Sequence, residues 1–184
     1  MATVFVITGP SGVGKGTLIA ALRERHPELG LSVSATTRAP RAGEHDGVDY
    51  HFLSESDFDR RLLDGEFIEH ATYAGHRYGT LRAELERRAR GNAPVVLEIE
   101  VDGARQVRAA MPGAVQIFIA PVAQEQLEER LRARGTDDEA ALEERLAIAR
   151  TELAAREEFA HVVVNDDLRS AVEDLDGIYL RYTD

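Results

Sequence analysis

Val4-Phe5-Val6-Ile7-Thr8-Gly9-Pro10-Ser11-Gly12-Val13-Gly14-Lys15-Gly16-Thr17 is the stretch whose reading decides the fold. Its first four residues are a β-branched and aromatic run, the pattern of a strand buried on both faces of a parallel sheet. The glycines that follow let the backbone turn tightly with its N–H groups inward. From Thr17 to Arg25 the pattern is helical, with Leu18 and Leu22 on one apolar stripe. Strand, glycine loop and helix N-terminus together make an anion site, because free N–H groups and the positive helix end point at one spot. The loop Gly9, Pro10, Ser11, Gly12, Val13, Gly14, Lys15, Gly16 and Thr17 is therefore expected to hold the phosphates of a nucleotide, with Lys15 reaching between the outer ones.

Lys15 is the only lysine among 22 cationic side chains; all the others are arginine. Genome composition is the bland account of that bias. It does not explain why the exception falls in the loop, where a compact ammonium on a flexible stem does what a planar guanidinium fork does not. One departure from G-x-x-x-x-G-K-[ST] stands out. Position 16 is Gly, so the hydroxyl that usually follows the lysine and binds magnesium comes one residue later, at Thr17. Magnesium keeps several waters readily, so phosphates, water and a more distant carboxylate are expected to share its coordination. The variant Gly-Lys-Gly-Thr resembles the loops of nucleoside monophosphate kinases more than those of GTPases.

With 184 residues and 43% apolar content, the chain reads as one domain with a real core. A net charge of −11 argues against a nucleic-acid-binding protein, so positive charge for a polyanionic ligand must be concentrated locally. The absence of cysteine excludes disulfides and thiol catalysis and fits a reducing cytosol. The first apolar run is too short for a signal peptide, and no segment reaches transmembrane length. A cytoplasmic protein without membrane partners is expected, either monomer or homodimer. The six histidines show no metal-ligand spacing.

Strand-like runs recur at residues 4–7, 95–99, 115–120 and 162–164, separated by helical patterns near 15–25, 81–90, 103–110, 123–134, 139–158 and 168–181. That alternation predicts an α/β fold, a P-loop parallel sheet flanked by helices. Two stretches break it. Residues 33–80 are rich in turn signals and short strand pieces, with one helix near 55–63, and read as an inserted β-rich subdomain. Residues 125–147 are highly charged around Gly135-Thr136-Asp137-Asp138 and read as a helical lid. The core is then 1–32, 81–124 and 148–184.

The insert opens with Ser34-Ala35-Thr36-Thr37-Arg38-Ala39-Pro40-Arg41-Ala42-Gly43-Glu44. Two guanidinium forks three residues apart suit a phosphate dianion, and Tyr50 and Tyr78 can add phenolic hydroxyls. An isolated R-x-x-R is ordinarily a surface pair; here its company decides. That segment, the loop 9–17, Asp49-Tyr50, Phe67-Ile68-Glu69, Tyr78-Gly79-Thr80, residues 130–135 and Val164-Asn165-Asp166-Asp167 together resemble the guanylate kinase family, in its order and nearly end to end.

The resemblance implies a GMP-binding insert and transfer of the γ-phosphoryl group of ATP to GMP, with Mg2+. It implies that Arg38, Arg41, Tyr50 and Tyr78 hold the GMP phosphate. It also implies that Ser34, Glu69, Gly79 and Thr80 serve the guanine side, and that Asn165 lies near the adenine of ATP. Arg130, Arg134 and Arg145 are the implied lid arginines, with surface pairing to neighbouring glutamates as the competing role. Two positions depart from the family pattern: Glu100 stands where Asp is common, and Asp102 where Gln is common. Glu100, with Thr17, is the expected magnesium-side residue, directly or through water, or else a contact to GMP. Catalysis is expected from Lys15, Arg38, Arg134 and Arg145 by alignment and charge stabilisation, with no general base.

Two other readings compete. A kinase for another nucleoside monophosphate would turn over AMP, dTMP or UMP as fast as GMP. A catalytically inactive guanylate-kinase-like interaction module would bind GMP without ATP-dependent GDP formation, and its loop would be eroded. This loop keeps its glycines and Lys15. A P-loop GTPase is a weaker reading still, because no Asn-Lys-x-Asp base-reading motif is possible when the only lysine is at 15.

Overall fold

In the computed structural model of the chain, which describes residues 2–73, 75–133 and 139–183, the opening apolar run is the middle strand of a five-stranded parallel sheet. That strand, β1 (Val4–Thr8), is followed by α1 (Lys15–Arg25) and the short β2 (Gly30–Leu31). The sheet is completed by β7 (Val95–Glu98), β8 (Val115–Ala120) and β9 (His161–Val164), in the order β2-β7-β1-β8-β9.

Alternate residues of the strands feed two cores. Phe5, Ile7, Val96, Val115, Ile117 and Ile119 face α1 and the C-terminal helix α7 (Leu168–Thr183), with Leu127 of α5 (Gln124–Ala133) and Leu146 of α6 (Glu139–Ala154). Val4, Val6, Val95, Leu97, Phe118 and Ala120 face Leu85 of α3 (Arg82–Arg88) and Val101, Ala104 and Val107 of α4 (Val101–Ala110). Helices thus cover both faces, which is why the strands are mostly apolar rather than alternating. The expected parallel core is present, and β2, too short to stand out in the sequence, pairs with β7 through Gly30 and Leu31.

The insert forms its own four-stranded sheet in the order β4-β3-β6-β5. Its strands are β3 (Ala35–Thr36), β4 (His51–Phe52), β5 (Phe67–Tyr73) and β6 (His76–Leu81), with α2 (Glu55–Leu63) packed on it. A small separate core of Ala35, Phe58, Phe67 and Leu81 holds it, and the rings of Phe58 and Phe67 stack 4.4 Å apart. Strand β5 is the joint to the main body. Phe67 belongs to the insert's core, whereas Ile68 packs into the core under α4. A register shift between Phe67 and Glu69 allows adjacent residues to serve both, and sets Glu69 opposite Thr80. The boundary expected at 147/148 falls inside α6, which runs unbroken from the lid region into the main core. Among the described residues no helix is long and apolar enough to cross a membrane.

Candidate functional site

The glycine loop leaves the C-terminal end of β1, at the centre of the sheet, where crevices of open α/β sheets form. Gly14 caps α1 with φ 99°, a left-handed conformation that a side chain would strain. A Cβ at Gly14 would also lie 2.5 Å from Asn165 Nδ2. No side chain caps α1, and its first turn holds no acidic residue, so the first amides are left for an anion. Lys15 Nζ donates to the carbonyls of Gly9 (2.5 Å) and Pro10 (3.3 Å), folded back over the loop it serves. Asn165 is buried behind the loop and its Nδ2 donates to Val13 O at 2.7 Å.

The loop opens into a cavity of about 590 Å³ whose far wall is the insert. Ser11, Gly12, Gly14, Lys15, Gly16 and Thr17 line one side; Ser34, Arg38, Arg41, Tyr50, Glu69, Tyr78 and Gly79 line the other. Arg38 is held in place. Its Nη2 donates to Glu44 Oε1 and its Nη1 to Ala39 O, both at 2.9 Å, and its guanidinium lies 5.2 Å from the centre of the Tyr50 ring. Glu44 also accepts from the Arg41 amide at 2.7 Å, so one carboxylate organises both arginines of the R-x-x-R segment. The rings of Tyr50 and Tyr78 meet edge to face at 6.1 Å. Two guanidinium groups and two phenols converging on one wall suit a phosphate dianion.

Glu69 is 4% exposed, and its Oε1 accepts from the fully buried Thr80 hydroxyl at 2.7 Å. Burial pushes its carboxyl up to about 7, against the hydrogen bonds from Thr80 and with help from the Glu100 charge. A buried carboxylate with no cationic partner among the described residues is a costly arrangement that a donor-bearing ligand can relieve.

Between the two walls lies a group of acids at the end of β7. Glu98 and Glu100 both line the cavity. Glu98 escaped the sequence reading, which took Glu100 from the same run. The signal was there: a charge at the last position of an otherwise buried strand. Burial raises the Glu98 carboxyl, and the nearby Lys15 ammonium opposes the rise. A Cβ at Gly16 would lie 3.8 Å from Glu98 Oε2, so position 16 of the loop stands beside that carboxylate. Glu100 Oε2 and Glu152 Oε2 are buried without a hydrogen-bond partner among the described residues. Burial, reinforced by Glu100, holds the Glu152 carboxyl well above the ordinary carboxylate range.

The structure therefore brings Lys15, Thr17, Ser34, Arg38, Arg41, Tyr50, Glu69, Tyr78, Gly79, Glu100 and Arg145 to one cavity. Arg145 comes from α6. Arg134 and the side chain of Arg130 lie outside what is described. Among the described residues no group of three or more His, Asp or Glu forms a metal cage. The hard oxygens of Thr17, Glu98 and Glu100 suit a magnesium ion carried mainly by phosphate and water.

A family model described as guanylate kinase matches residues 1–181. A protein named guanylate kinase from Synechococcus sp. (strain CC9311) is 55% identical over 171 residues, covering 93% of this chain and 90% of that one. Another so named, from Frankia casuarinae, is 56% identical over 166 residues, covering 90% of each chain. The crystal structure of guanylate kinase from Anaplasma phagocytophilum superposes with a TM-score of 0.80 at 31% identity, covering all of this chain and 87% of that one.

Proposed function

This chain belongs to the guanylate kinase family, and on that premise we propose how its own residues carry the transfer of a phosphoryl group from ATP to GMP. The observation that supports the assignment of roles is the single cavity with two unlike walls, an ammonium and helix amides on one, guanidinium forks and a buried carboxylate on the other. ATP lies with its outer phosphates on the loop and α1. GMP lies against the insert, its phosphate on Arg38, Arg41, Tyr50 and Tyr78.

Lys15 leaves the carbonyls of Gly9 and Pro10 for the β- and γ-oxygens of ATP. A GMP phosphate oxygen is the nucleophile. It is already ionised near neutral pH, so no side chain is needed as base. Arg38, oriented by Glu44, aligns that oxygen, and Arg145 brings further positive charge from α6. This is catalysis by alignment and charge stabilisation of a loose phosphoryl group. Thr17, Glu98 and Glu100 are the residues that would hold a magnesium ion, directly or through water, and the ion would supply neutralisation of phosphate charge. Closure of α5 and α6 excludes water that would otherwise accept the phosphoryl group. Glu69 accepts the N1–H and N2–H donors of guanine. Adenine has no such donor pair and leaves the buried carboxylate unsatisfied, a loss that discriminates strongly. The reaction is placed in the cytoplasm, in keeping with a chain without cysteine.

A coupled ADP-release assay with GMP, AMP, dTMP and UMP as acceptors tests the proposal. Fast turnover of GMP alone is expected; equal rates for all four would remove the guanine-reading role of Glu69.

A further inference from the structure

Gly103 lies in the first turns of α4 and is buried. A Cβ built there would stand 3.1 Å from Glu69 Cδ and closer still to its Oε2. Glycine inside a helix is unfavourable relative to alanine, so something must favour it here, and the nearest neighbours of that Cβ are the Glu69 carboxyl and, at 3.5 Å, Ile99 Cδ1.

The backbones on both sides are fixed. Glu69 sits in the β5–β6 ladder opposite Thr80. The next residue, His70, is clasped by Gln106, one turn beyond Gly103 on the same helix: the His70 amide donates to Gln106 Oε1 at 3.1 Å, and Gln106 Nε2 donates to His70 O at 2.7 Å. Helix α4 is anchored by Ala104 and Val107, both fully buried in the core. Neither element yields, so an added methyl moves the one flexible thing it meets, the far end of Glu69. That end is bracketed by the Thr80 hydroxyl on its other oxygen.

Resting on the assignment of Glu69 to guanine, we infer that Gly103 is a positioning residue for base selectivity: its missing side chain is the seat of the Glu69 carboxylate. The unusual consequence is an opposition of signs. Gly103→Ala gives a better helix former at a site where only a flexible carboxyl must shift, so the fold loses nothing, yet the base reader is displaced from the position in which it accepts two donors at once.

The test compares kcat/KM for GMP and for IMP, whose base lacks the 2-amino group, together with Tm, in Gly103→Ala, Glu69→Gln, Glu69→Asp and the Glu69→Asp/Gly103→Ala double variant. In Gly103→Ala the GMP-to-IMP ratio is expected to fall about tenfold or more, with KM for ATP unchanged and Tm equal or higher. The shorter aspartate withdraws from α4, so the double variant is expected to match Glu69→Asp alone, a non-additive cycle. An unchanged ratio in Gly103→Ala, additive losses in the double variant, or a Tm lowered by many degrees each overturns the inference. If Glu69→Gln itself keeps the wild-type GMP-to-IMP ratio, the guanine assignment of Glu69 is what fails, and the Gly103 inference with it.

Discussion

The two walls of the cavity are made differently. The wall proposed for ATP is built from one contiguous segment, mostly of backbone: loop amides, the first turn of α1, and a single lysine. The wall proposed for GMP is assembled from side chains scattered between Ser34 and Thr80, brought together by a small sheet and two carboxylates that organise arginines and hydroxyls. A backbone site tolerates little change in conformation but cares less about side-chain identity. A side-chain site has the reverse sensitivity. Lys15 is the exception on the first wall, which makes it the sharpest place to break the comparison. Lys15→Arg keeps the charge but replaces an ammonium that fits between phosphates with a fork that does not. Turnover is expected to fall at least ~100-fold, with Tm and equilibrium binding of GMP unchanged. Near-normal turnover would mean that the arginine-dominated composition alone explains why Lys15 stands out.

On the other wall, Glu69→Gln is expected to lower kcat/KM for GMP by about 100-fold, and it carries a pH signature. The folded protein holds the Glu69 proton to about pH 7, whereas an unfolded chain releases it near 4.5. Protonated Glu69 is therefore favoured by folding. Its contribution is fully present below pH 4.5 and is lost as pH rises through 7, on the order of 3 kcal/mol in all. Denaturant midpoints of wild type are expected to fall between pH 5 and 8 more steeply than those of Glu69→Gln. Saturation by GMP runs the other way, improving as Glu69 ionises. Parallel midpoints in the two proteins would show that Glu69 is ionised throughout. Since Glu69→Gln keeps the titration of the GMP phosphate itself, the difference between the two proteins isolates the side chain.

Asn165 tests how far the backbone wall depends on a side chain behind it. Asn165→Ala removes the hydrogen bond that its amide donates to Val13 O behind the loop, costing about 1 kcal/mol. KM for ATP is expected to rise several-fold while KM for GMP stays constant. A rise in both would mean that the two walls are coupled through the loop.

The same contrast explains what was readable in the sequence. The strands at 4–8, 95–98 and 115–120 announced themselves because burial on both faces demands mostly apolar runs, and the edge strand at 161–164 by its three consecutive valines. The phosphate loop was legible residue by residue, since its chemistry is contiguous. Strand β2 was not: two residues carry no periodicity, and only pairing with β7 makes them a strand. The register shift that aims Glu69 at Thr80 is a tertiary compromise between two cores and leaves no local mark. Gly103 was missed for a related reason: it is defined by what it approaches across the fold, the Glu69 carboxyl, and the spacing of residues along α4 says nothing of that, whereas Glu98 left a mark in the sequence as a charge closing an apolar strand.

The smallest expected effect concerns whether the insert stands apart from the core energetically as it does in packing. Helix α2 begins with Ser54-Glu55-Ser56-Asp57. The Ser54 hydroxyl oxygen accepts from the Asp57 amide at 3.1 Å, and the hydroxyl donates to Asp57 Oδ2 at 2.7 Å. Ser54→Ala removes that cap at a cost of about 1 kcal/mol. The capping residues do not line the cavity, and α2 is tied to the insert by Phe58 in its small core and by Arg77 of β6, which donates to Asp59 and Glu55. Amide exchange in residues 51–63 is therefore expected to quicken about fivefold while β1, β7 and β8 exchange as in wild type, and kcat is unchanged. Equal acceleration across both sheets would show a single cooperative unit, with Ile68 and the Gln106 clasp on His70 binding the insert to the core more tightly than its separate packing suggests.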